Sequence, residues 1–170
     1  MDEGYIKFTT ERRDGPVPLS ARLDALNRTR TTLFDNGLIG QYPDGIGFGN
    51  VSLRESEDRF VITASATGGI RELHHQHYCL VESFSIERNR VLSYGPLKAS
   101  SESMTHGAIY GADPKVQYVM HVHCRALFDD LLQQQWLATP ADAAYGTSAM
   151  AEAVAQLVRG ESTLPVLFVM

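Results

Sequence analysis

Two histidines separated by one residue, His121 and His123, end a mainly apolar run that begins at Val116. The run, Val-Gln-Tyr-Val-Met-His-Val-His, has the β-branched and aromatic residues typical of a strand. Side chains on a strand alternate between its two faces, so both imidazoles lie on the same face. The pattern predicts a stiff, buried strand whose two neutral nitrogen ligands grip one transition metal ion. The alternative is a pair of histidines that are only hydrogen-bonded at a strand end.

Composition and length indicate one soluble domain of ordinary character. The chain has 170 residues, of which 44% are hydrophobic and 21% are charged, and this length is enough to bury one core. The formal net charge of −5 gives no general attraction to nucleic acid or to anionic membranes. No apolar run is long enough to span a bilayer, and the N-terminus has no signal-peptide pattern, so we expect a cytoplasmic protein. Cys79 and Cys124 have no CxxC spacing, and we expect both to be reduced.

Hydrophobic periodicity predicts helices that flank a mostly antiparallel sheet, an α/β sandwich. Residues 1–19 are polar and contain Gly15, Pro16 and Pro18, so we expect a loose arm, followed by a single domain over 20–170. An apolar strand is an unusual chain end, which predicts a domain truncated at its C-terminus. The predicted helices are 20–36, 101–110, 125–134 and 147–160, and the predicted strands are 51–54, 59–63, 80–87, 90–94, 116–123 and 164–170.

The start of the helix predicted at 101–110 carries several polar side chains. Ser100 and Ser101 either cap this helix or form a cradle for a phosphate or carboxylate, since helix N-termini attract anions. Glu102 is favoured there by the helix dipole, and it becomes a candidate acid/base or metal ligand if it faces the histidines. His106 lies four residues later on the same face as Glu102. For His106 we expect a structural hydrogen bond, with metal ligation as the alternative.

Two further patterns suggest binding sites but indicate little on their own. The glycines of residues 45–49 are spaced as G-x-G-x-G and precede a strand, whereas a dinucleotide-binding fingerprint needs G-x-G-x-x-G before a helix. We therefore reject nucleotide binding there, although Asn50 at the end of the loop could donate its amide N–H to an anion. His74, His75 and His77 stand among polar residues, and we expect a surface loop or helix there and no metal ligands.

Five short segments follow one another in a characteristic order. They are Gly49-Asn50-Val51-Ser52-Leu53-Arg54; Ile62-Thr63 with Thr67-Gly68; Ala99-Ser100-Ser101-Glu102 followed by His106; Val119-Met120-His121-Val122-His123; and Ala144-Tyr145-Gly146-Thr147. Together they resemble the class II aldolase/adducin family, which includes fuculose-phosphate aldolases and ribulose-phosphate 4-epimerases. The resemblance covers residues 20–170. It implies a three-layer α/β/α sandwich that assembles as a homotetramer with active sites at the subunit interfaces.

The resemblance also implies a set of site residues. Active members of the family hold a divalent metal, most commonly Zn2+, with three histidines. His121 and His123 match the first two, and the third would follow the strand at 164–170, beyond Met170. Glu102 matches the acid/base glutamate. The positions that bind the substrate phosphate are matched by Asn50, Thr67, Gly68, Ser100 and Ser101.

These roles imply a metal-dependent aldolase-type lyase or epimerase. Its substrate would be a small sugar phosphate or a related hydroxy-carbonyl compound, cleaved through an enediolate whose charge the metal stabilises. A dehydratase would use the same residues. The segment between His123 and Tyr145 is shorter than in many sugar-phosphate aldolases, which leaves the substrate open. The alternative function is an adducin-like module that has lost catalysis and acts through protein contacts, but such modules tend to lose the histidines and glutamate that this chain keeps.

Overall fold

The structure is a computed structural model that describes residues 6–170, and residues 1–5 lie outside the described part. Within 6–170, every helix is too short or too polar to cross a membrane. A short 3-10 turn at His75–His77 precedes β6. The elements in chain order are β1 (Thr9–Arg13), α1 (Ala21–Asp35), β2 (Gly40–Gln41), β3 (Gly47–Phe48), β4 (Asn50–Arg54), β5 (Phe60–Thr63), β6 (Tyr78–Ser85), β7 (Arg90–Tyr94), α2 (Ser103–Ala112), β8 (Tyr118–His121), α3 (Arg125–Gln133) and α4 (Ser148–Gly160).

Among the described residues, six strands form one mixed sheet in the order β1-β7-β6-β5-β4-β8. β1 runs parallel to β7, and the other neighbouring pairs are antiparallel. The sequence predicted a mostly antiparallel sheet and assigned residues 9–13 to a loose arm. These residues instead form an edge strand, and this strand makes the sheet mixed. Periodicity missed β1 because its sequence, Thr-Thr-Glu-Arg-Arg, has no apolar alternation.

Two hydrophobic clusters lie on opposite faces of the sheet, as the period-two alternation of strand side chains requires. On β5, Phe60 and Ile62 pack in the cluster that includes α2 and α4. Val61, between them, packs in the cluster that includes Leu23 and Leu26 of α1. Helices therefore contribute to the core from both sides.

The predicted helices are confirmed, and two of them begin at a capping side chain. Ser20 Oγ accepts the backbone N–H of Leu23 at 3.1 Å, and Thr147 Oγ1 accepts that of Met150 at 3.3 Å. Such caps satisfy backbone donors that have no partner inside the helix. Local side-chain chemistry therefore sets the starts of α1 and α4.

The segment 164–170 does not form the predicted strand. It makes only an isolated parallel bridge, between Ala138 and Val169. Pro165 has no N–H to donate to a ladder, and the indole N–H of Trp136 donates to the carbonyl of Leu167 at 2.8 Å. The apolar composition of residues 164–170 predicts a strand, but the segment does not pair along its length with another strand, and one of its carbonyls bonds to the Trp136 side chain.

The sequence predicted that the histidine strand, β8, is buried. In the structure β8 is instead a partly exposed edge strand of the sheet. Its one neighbour in the described sheet is β4. Tyr118 is 41% exposed and Met120 is 44% exposed. The two histidines therefore lie where the sheet meets the surface.

Candidate active site

The pairing of β8 with β4 places His121 directly opposite Asn50. Beyond the end of β8, the backbone N–H of His123 donates to the carbonyl of Leu38 at 2.9 Å, which keeps the chain extended. The rings of His121 and His123 consequently lie side by side, with centroids 4.8 Å apart. This agrees with the geometry expected from the alternation of strand side chains.

Each of the two rings has a polar neighbour at its Nδ1 atom. Nδ1 of His123 lies 2.9 Å from the hydroxyl of Tyr42, and Nδ1 of His121 lies 3.5 Å from the amide nitrogen of Asn50. Phe48 packs beside His123, with ring centroids 5.3 Å apart. Histidines that bind metal usually have one ring nitrogen oriented in this way by a second residue. Sequence reasoning missed Tyr42, because it lies in a loop with no motif or periodicity around it.

A cavity of about 560 Å³ opens over these rings, and we call it the histidine cavity. Glu102 lines it together with His121, His123, Asn50 and Ser101, so the structure brings the predicted acid/base next to the predicted metal ligands. Glu102 is only 4% exposed. It is the N-cap residue of α2, but its side chain makes no capping hydrogen bond, so its carboxylate is not engaged by the helix start.

Cys124 also lines the histidine cavity, whereas continued strand alternation after His123 would turn it away from the two histidines. β8 ends at His121 and α3 begins at Arg125, so strand alternation does not extend to residue 124. Both cysteines are free thiols, as expected. Cys79 is buried and donates to the carbonyl of Leu97 at 3.1 Å. Burial raises the pKa of the Cys79 thiol to about 12, so that residue is not a thiolate ligand.

The histidine pair suits a metal in its donor type, because neutral imidazole is a common ligand of zinc. A closed zinc site uses three or four protein donors. Within residues 6–170, no group of three or more histidine, cysteine, aspartate or glutamate side chains is arranged to hold a metal ion. The described residues thus place two imidazoles and Glu102 on one cavity.

A second cavity of about 180 Å³, which we call the glycine-loop cavity, adjoins the first. Asn50 and Ser101 line both cavities. Ser100 Oγ accepts the backbone N–H of Glu102 at 3.3 Å, so Ser100 supports the turn that leads into α2. The residues predicted to bind phosphate all line the glycine-loop cavity: Asn50, Thr67, Gly68, Ser100 and Ser101.

Arg30, on α1, holds the loop that forms one wall of the glycine-loop cavity. Its side chain is 1% exposed, and its guanidinium donates to the carbonyls of Thr67 and Gly68 at 3.0 Å each. It also donates to the carbonyls of Ile70 and Arg71. Burial lowers the pKa of Arg30, while the carbonyl oxygens satisfy its N–H groups. Sequence reasoning missed this role, because an arginine in an amphipathic helix is ordinarily a surface residue.

Two glycines are required by the loops around these cavities. A Cβ on Gly68 would collide with the carbonyl oxygen of Gly40 and lie 2.9 Å from the Cα of Gly47. Gly49 has a φ of +73°, a left-handed conformation that costs other residues free energy. The hairpin formed by β2 and β3 and the 64–68 turn can therefore approach each other only with glycine at position 68, while Gly49 is required by its own backbone conformation.

His106 lies behind the histidine cavity in a buried hydrogen-bond network. Ser52 Oγ lies 2.7 Å from His106 Nδ1 and 2.7 Å from the hydroxyl of Tyr110. The structural hydrogen bond predicted for His106 is therefore confirmed. Burial, with a smaller contribution from the nearby His121, lowers the pKa of His106 to about 3, so the ring is neutral. By contrast, His74 and His75 are exposed at the 3-10 turn, as predicted for a surface segment.

The family model described as the Class II Aldolase and Adducin N-terminal domain matches residues 44–164. The chain belongs to the class II aldolase and adducin family. Comparison with curated proteins gives no match. Membership confirms the resemblance drawn from the five sequence segments, and it confirms a class II aldolase-like α/β fold.

Solved structures of the same fold agree with membership of the class II aldolase and adducin family. An L-fuculose 1-phosphate aldolase is 19% identical over 84% of this chain and 69% of its own, with a TM-score of 0.62. YgbL from Klebsiella pneumoniae, described as a putative aldolase/epimerase/decarboxylase, is 19% identical over 84% of this chain and 73% of its own, with a TM-score of 0.60. YgbL from Escherichia coli is also 19% identical, with a TM-score of 0.58 over 79% of this chain and 69% of its own. At these identities the likeness concerns the fold.

Proposed function

We propose that this protein is a divalent-metal-dependent lyase or epimerase that makes or breaks a carbon–carbon bond beside a carbonyl group. Its substrate is a small sugar phosphate or a related hydroxy-carbonyl compound. The observation that carries the proposal is the histidine cavity, in which His121, His123 and Glu102 meet beside the glycine-loop cavity. A nitrogen donor pair, a buried carboxylate and a polar cradle are the parts that such a reaction needs.

In this proposal His121 and His123 hold the cation, which we propose to be Zn2+, and Tyr42 and Asn50 orient the two rings. The two rings supply part of a zinc shell, and a further protein donor with substrate oxygens would complete it. When bound, a divalent cation polarises a carbonyl oxygen and stabilises the negative charge that develops on it. The side-by-side rings, with centroids 4.8 Å apart, support this assignment.

Glu102 is proposed to move the proton. Its carboxylate would take a proton from the substrate hydroxyl, or return one to the carbon from which the fragment departs. The low exposure of Glu102, 4%, limits the contact of its carboxylate with bulk water during that exchange. An epimerase would use the same step and rejoin the fragment to the opposite face of the carbonyl carbon.

The glycine-loop cavity is proposed to bind the phosphate or another anionic end of the substrate. Ser100 and Ser101 precede α2, where backbone N–H groups favour anions. Thr67 and Gly68 lie on the opposite wall, in the turn that Arg30 holds. Asn50 and Ser101 line both cavities, so a substrate anchored in the cradle would extend toward His121 and His123.

We also propose that the layers form an α/β/α sandwich and that the protein assembles as a homotetramer with its active sites at subunit interfaces. The clusters on both faces of the sheet support the layering. The exposed Tyr118 and Met120 on β8, beside His121, are the part of this chain best placed to meet a second subunit. Light scattering gives the assembly mass, and a mass of one chain in solution would contradict this part of the proposal.

Metal analysis combined with a substrate screen tests the proposed function. The purified protein is reconstituted with Zn2+, dialysed and analysed for metal. It is then assayed for aldol cleavage and epimerisation of phosphorylated and free ketoses. We expect bound metal at close to one ion per chain and turnover that a chelator abolishes. A protein that binds no metal and turns over none of these compounds would instead fit the adducin-like binding module.

A further inference from the structure

Two buried polar atoms on α2 belong to residues that line a third cavity, the α2–β8 cavity. This cavity has a volume of about 680 Å³, and Thr105, His106, Val119 and Phe168 are among the residues that line it. Thr105 is 2% exposed and His106 is 1% exposed. Thr105 Oγ1 and His106 Nε2 have no hydrogen-bond partner among residues 6–170. Buried polar groups nearly always have a partner, either protein or ordered water, so these two atoms indicate that something polar binds here.

The hydrogen-bond network behind His106 fixes which ring nitrogen carries the proton. Within residues 6–170, Ser52 Oγ is the one acceptor for the hydroxyl of Tyr110, so Tyr110 donates to Ser52. The Ser52 hydroxyl carries one proton, and among residues 6–170 its one remaining hydrogen-bond partner is Nδ1 of His106, 2.7 Å away, so it donates that proton there. Because a neutral imidazole has one N–H, the proton of His106 lies on Nε2. Nε2 is therefore a hydrogen-bond donor on a residue that lines the α2–β8 cavity.

Glu102 is the anionic group on that cavity nearest to His106 along α2. It lies four residues before His106, a spacing that puts two side chains on the same side of a helix. Glu102 lines the α2–β8 cavity as well as the histidine cavity. A carboxylate accepts hydrogen bonds and a ring N–H donates one, so the two groups are complementary. A water held between them would also satisfy Thr105 Oγ1.

We propose that His106 is a positioning residue for Glu102: its Nε2–H donates to an ordered water, which contacts the Thr105 hydroxyl and donates in turn to the Glu102 carboxylate. The water thereby holds the carboxylate in the direction of the histidine cavity. This inference rests on the proposed role of Glu102 as the acid/base. It extends that role to a network of side chains, Tyr110, Ser52 and His106, that reaches Glu102 from inside the fold.

The tautomer is tested by NMR, which needs no substrate. Long-range proton–nitrogen correlation spectra of the full chain identify which nitrogen of His106 is protonated at neutral pH. We expect the proton on Nε2. A proton on Nδ1 would overturn the proposal, because Nε2 would then be an acceptor and could not donate to the water.

The water and the carboxylate are tested by high-resolution crystallography of the wild-type protein and of His106→Asn. We expect density for a water within hydrogen-bond distance of both His106 Nε2 and the Glu102 carboxylate. In His106→Asn, we expect the water to be lost and the carboxylate to rotate. A wild-type structure without this water, or a variant with Glu102 unmoved, would overturn the proposal.

Kinetics of two variants separate positioning of Glu102 from a structural role. Asparagine at 106 can keep the contact with Ser52 but places no N–H at the position of Nε2, whereas glutamine keeps that N–H and loses the contact with Ser52. We expect kcat of His106→Asn to fall by about 10- to 100-fold, the effect of losing a hydrogen bond that serves a charged group, with KM little changed. We expect His106→Gln to restore most of kcat.

The order of the two variants decides the outcome. If His106 acted only through its hydrogen bond to Ser52, His106→Asn would keep a higher kcat than His106→Gln. That result would overturn the proposal. Should the wild-type protein turn over no hydroxy-carbonyl compound, the proposed function fails while the NMR and crystallographic results still decide the state of His106. The two failures are therefore distinguishable.

Discussion

His106 and the pair His121 and His123 carry the same imidazole in opposite surroundings. His106 lies inside α2 with 1% exposure, and its Nδ1 lies 2.7 Å from Ser52 Oγ. His121 and His123 lie at the end of an edge strand and line an open cavity. Burial lowers the pKa of His106 so far that it acts as a neutral hydrogen-bonding group. The difference teaches that position relative to the sheet, at its edge or packed against its face, decides whether a histidine here is partly exposed at an open cavity or buried as a neutral group.

Glu102 lines both the α2–β8 cavity, with His106, and the histidine cavity, with His121 and His123. Its replacement has the largest expected effect on activity. Glu102→Gln keeps the shape of the side chain but removes its capacity to hold and release a proton. We expect kcat to fall by about 10²- to 10⁴-fold, the usual contribution of a general acid or base, with zinc content unchanged. Steady-state assays and metal analysis check this, with the exposed Glu55→Gln as the control. Full activity in Glu102→Gln would remove this residue from the mechanism.

Removing either edge histidine comes next in size. We expect His121→Ala and His123→Ala each to weaken zinc affinity by more than about 100-fold, because even residues that only orient a ligand contribute about 10- to 100-fold. Competition with a chromophoric chelator measures the affinity. His75→Ala, at the exposed 3-10 turn, is the matched control. Unchanged zinc affinity in both His121→Ala and His123→Ala would show that these two histidines are not metal ligands.

The low pKa of the buried His106 should make the free energy of unfolding depend on pH. The pKa of His106 falls from 6.5 to about 3 on folding, so between these values the unfolded chain binds a proton that the folded chain does not. The free energy of unfolding should therefore fall as pH decreases through this window, by up to about 1.4 kcal/mol per pH unit. Among the groups that line the same cavity, His121 also lowers this pKa.

Urea unfolding of the metal-free protein, inside and above that pH window, measures the effect. The comparison is between the wild-type chain and His106→Gln, which has no group that titrates at this position. We expect a shallower loss of stability with acid in the variant. Equal slopes would mean that His106 is protonated in the folded protein and is not the neutral group described above.

The smallest predicted effect concerns Tyr42. Tyr42→Phe removes the hydroxyl that lies 2.9 Å from His123 Nδ1, and we expect about a tenfold loss of zinc affinity, the lower range for such orienting residues. Tyr118→Phe, on the exposed side of β8, serves as the control. If Tyr42→Phe binds zinc as the wild type does, packing alone orients His123.

Local patterns in the sequence predicted most of the helices and strands and identified candidate site residues. Periodicity located all four helices, because their apolar stripes and caps are encoded in neighbouring residues. The alternation of side chains put His121 and His123 on the same side before any fold was known. That Glu102 would line the histidine cavity with them depended on a resemblance, because residues 102 and 121 are brought together by strand pairing and helix packing.

Long-range pairing explains what the sequence did not predict. β1 was missed because its parallel partner lies far along the chain and its own residues are polar. The segment 164–170 was overpredicted as a strand, because hydrophobicity does not reveal that Trp136 bonds to one of its carbonyls. Arg30 and Tyr42 acquire their roles only from contacts with distant loops. Nothing in their immediate neighbours distinguishes them from surface residues.

The arginine beneath the glycine-loop cavity has an electrostatic consequence for that cavity. Arg30 draws the carbonyl oxygens of Thr67 and Gly68 toward α1. In a planar trans peptide the oxygen and the hydrogen point in opposite directions, so the amide hydrogens of Gly68 and Gly69 point away from the guanidinium. The buried cation Arg30 thus turns the positive ends of those peptide dipoles away from itself. This orientation favours negative charge at the Thr67–Gly68 wall of the glycine-loop cavity, although the wall has no basic side chain.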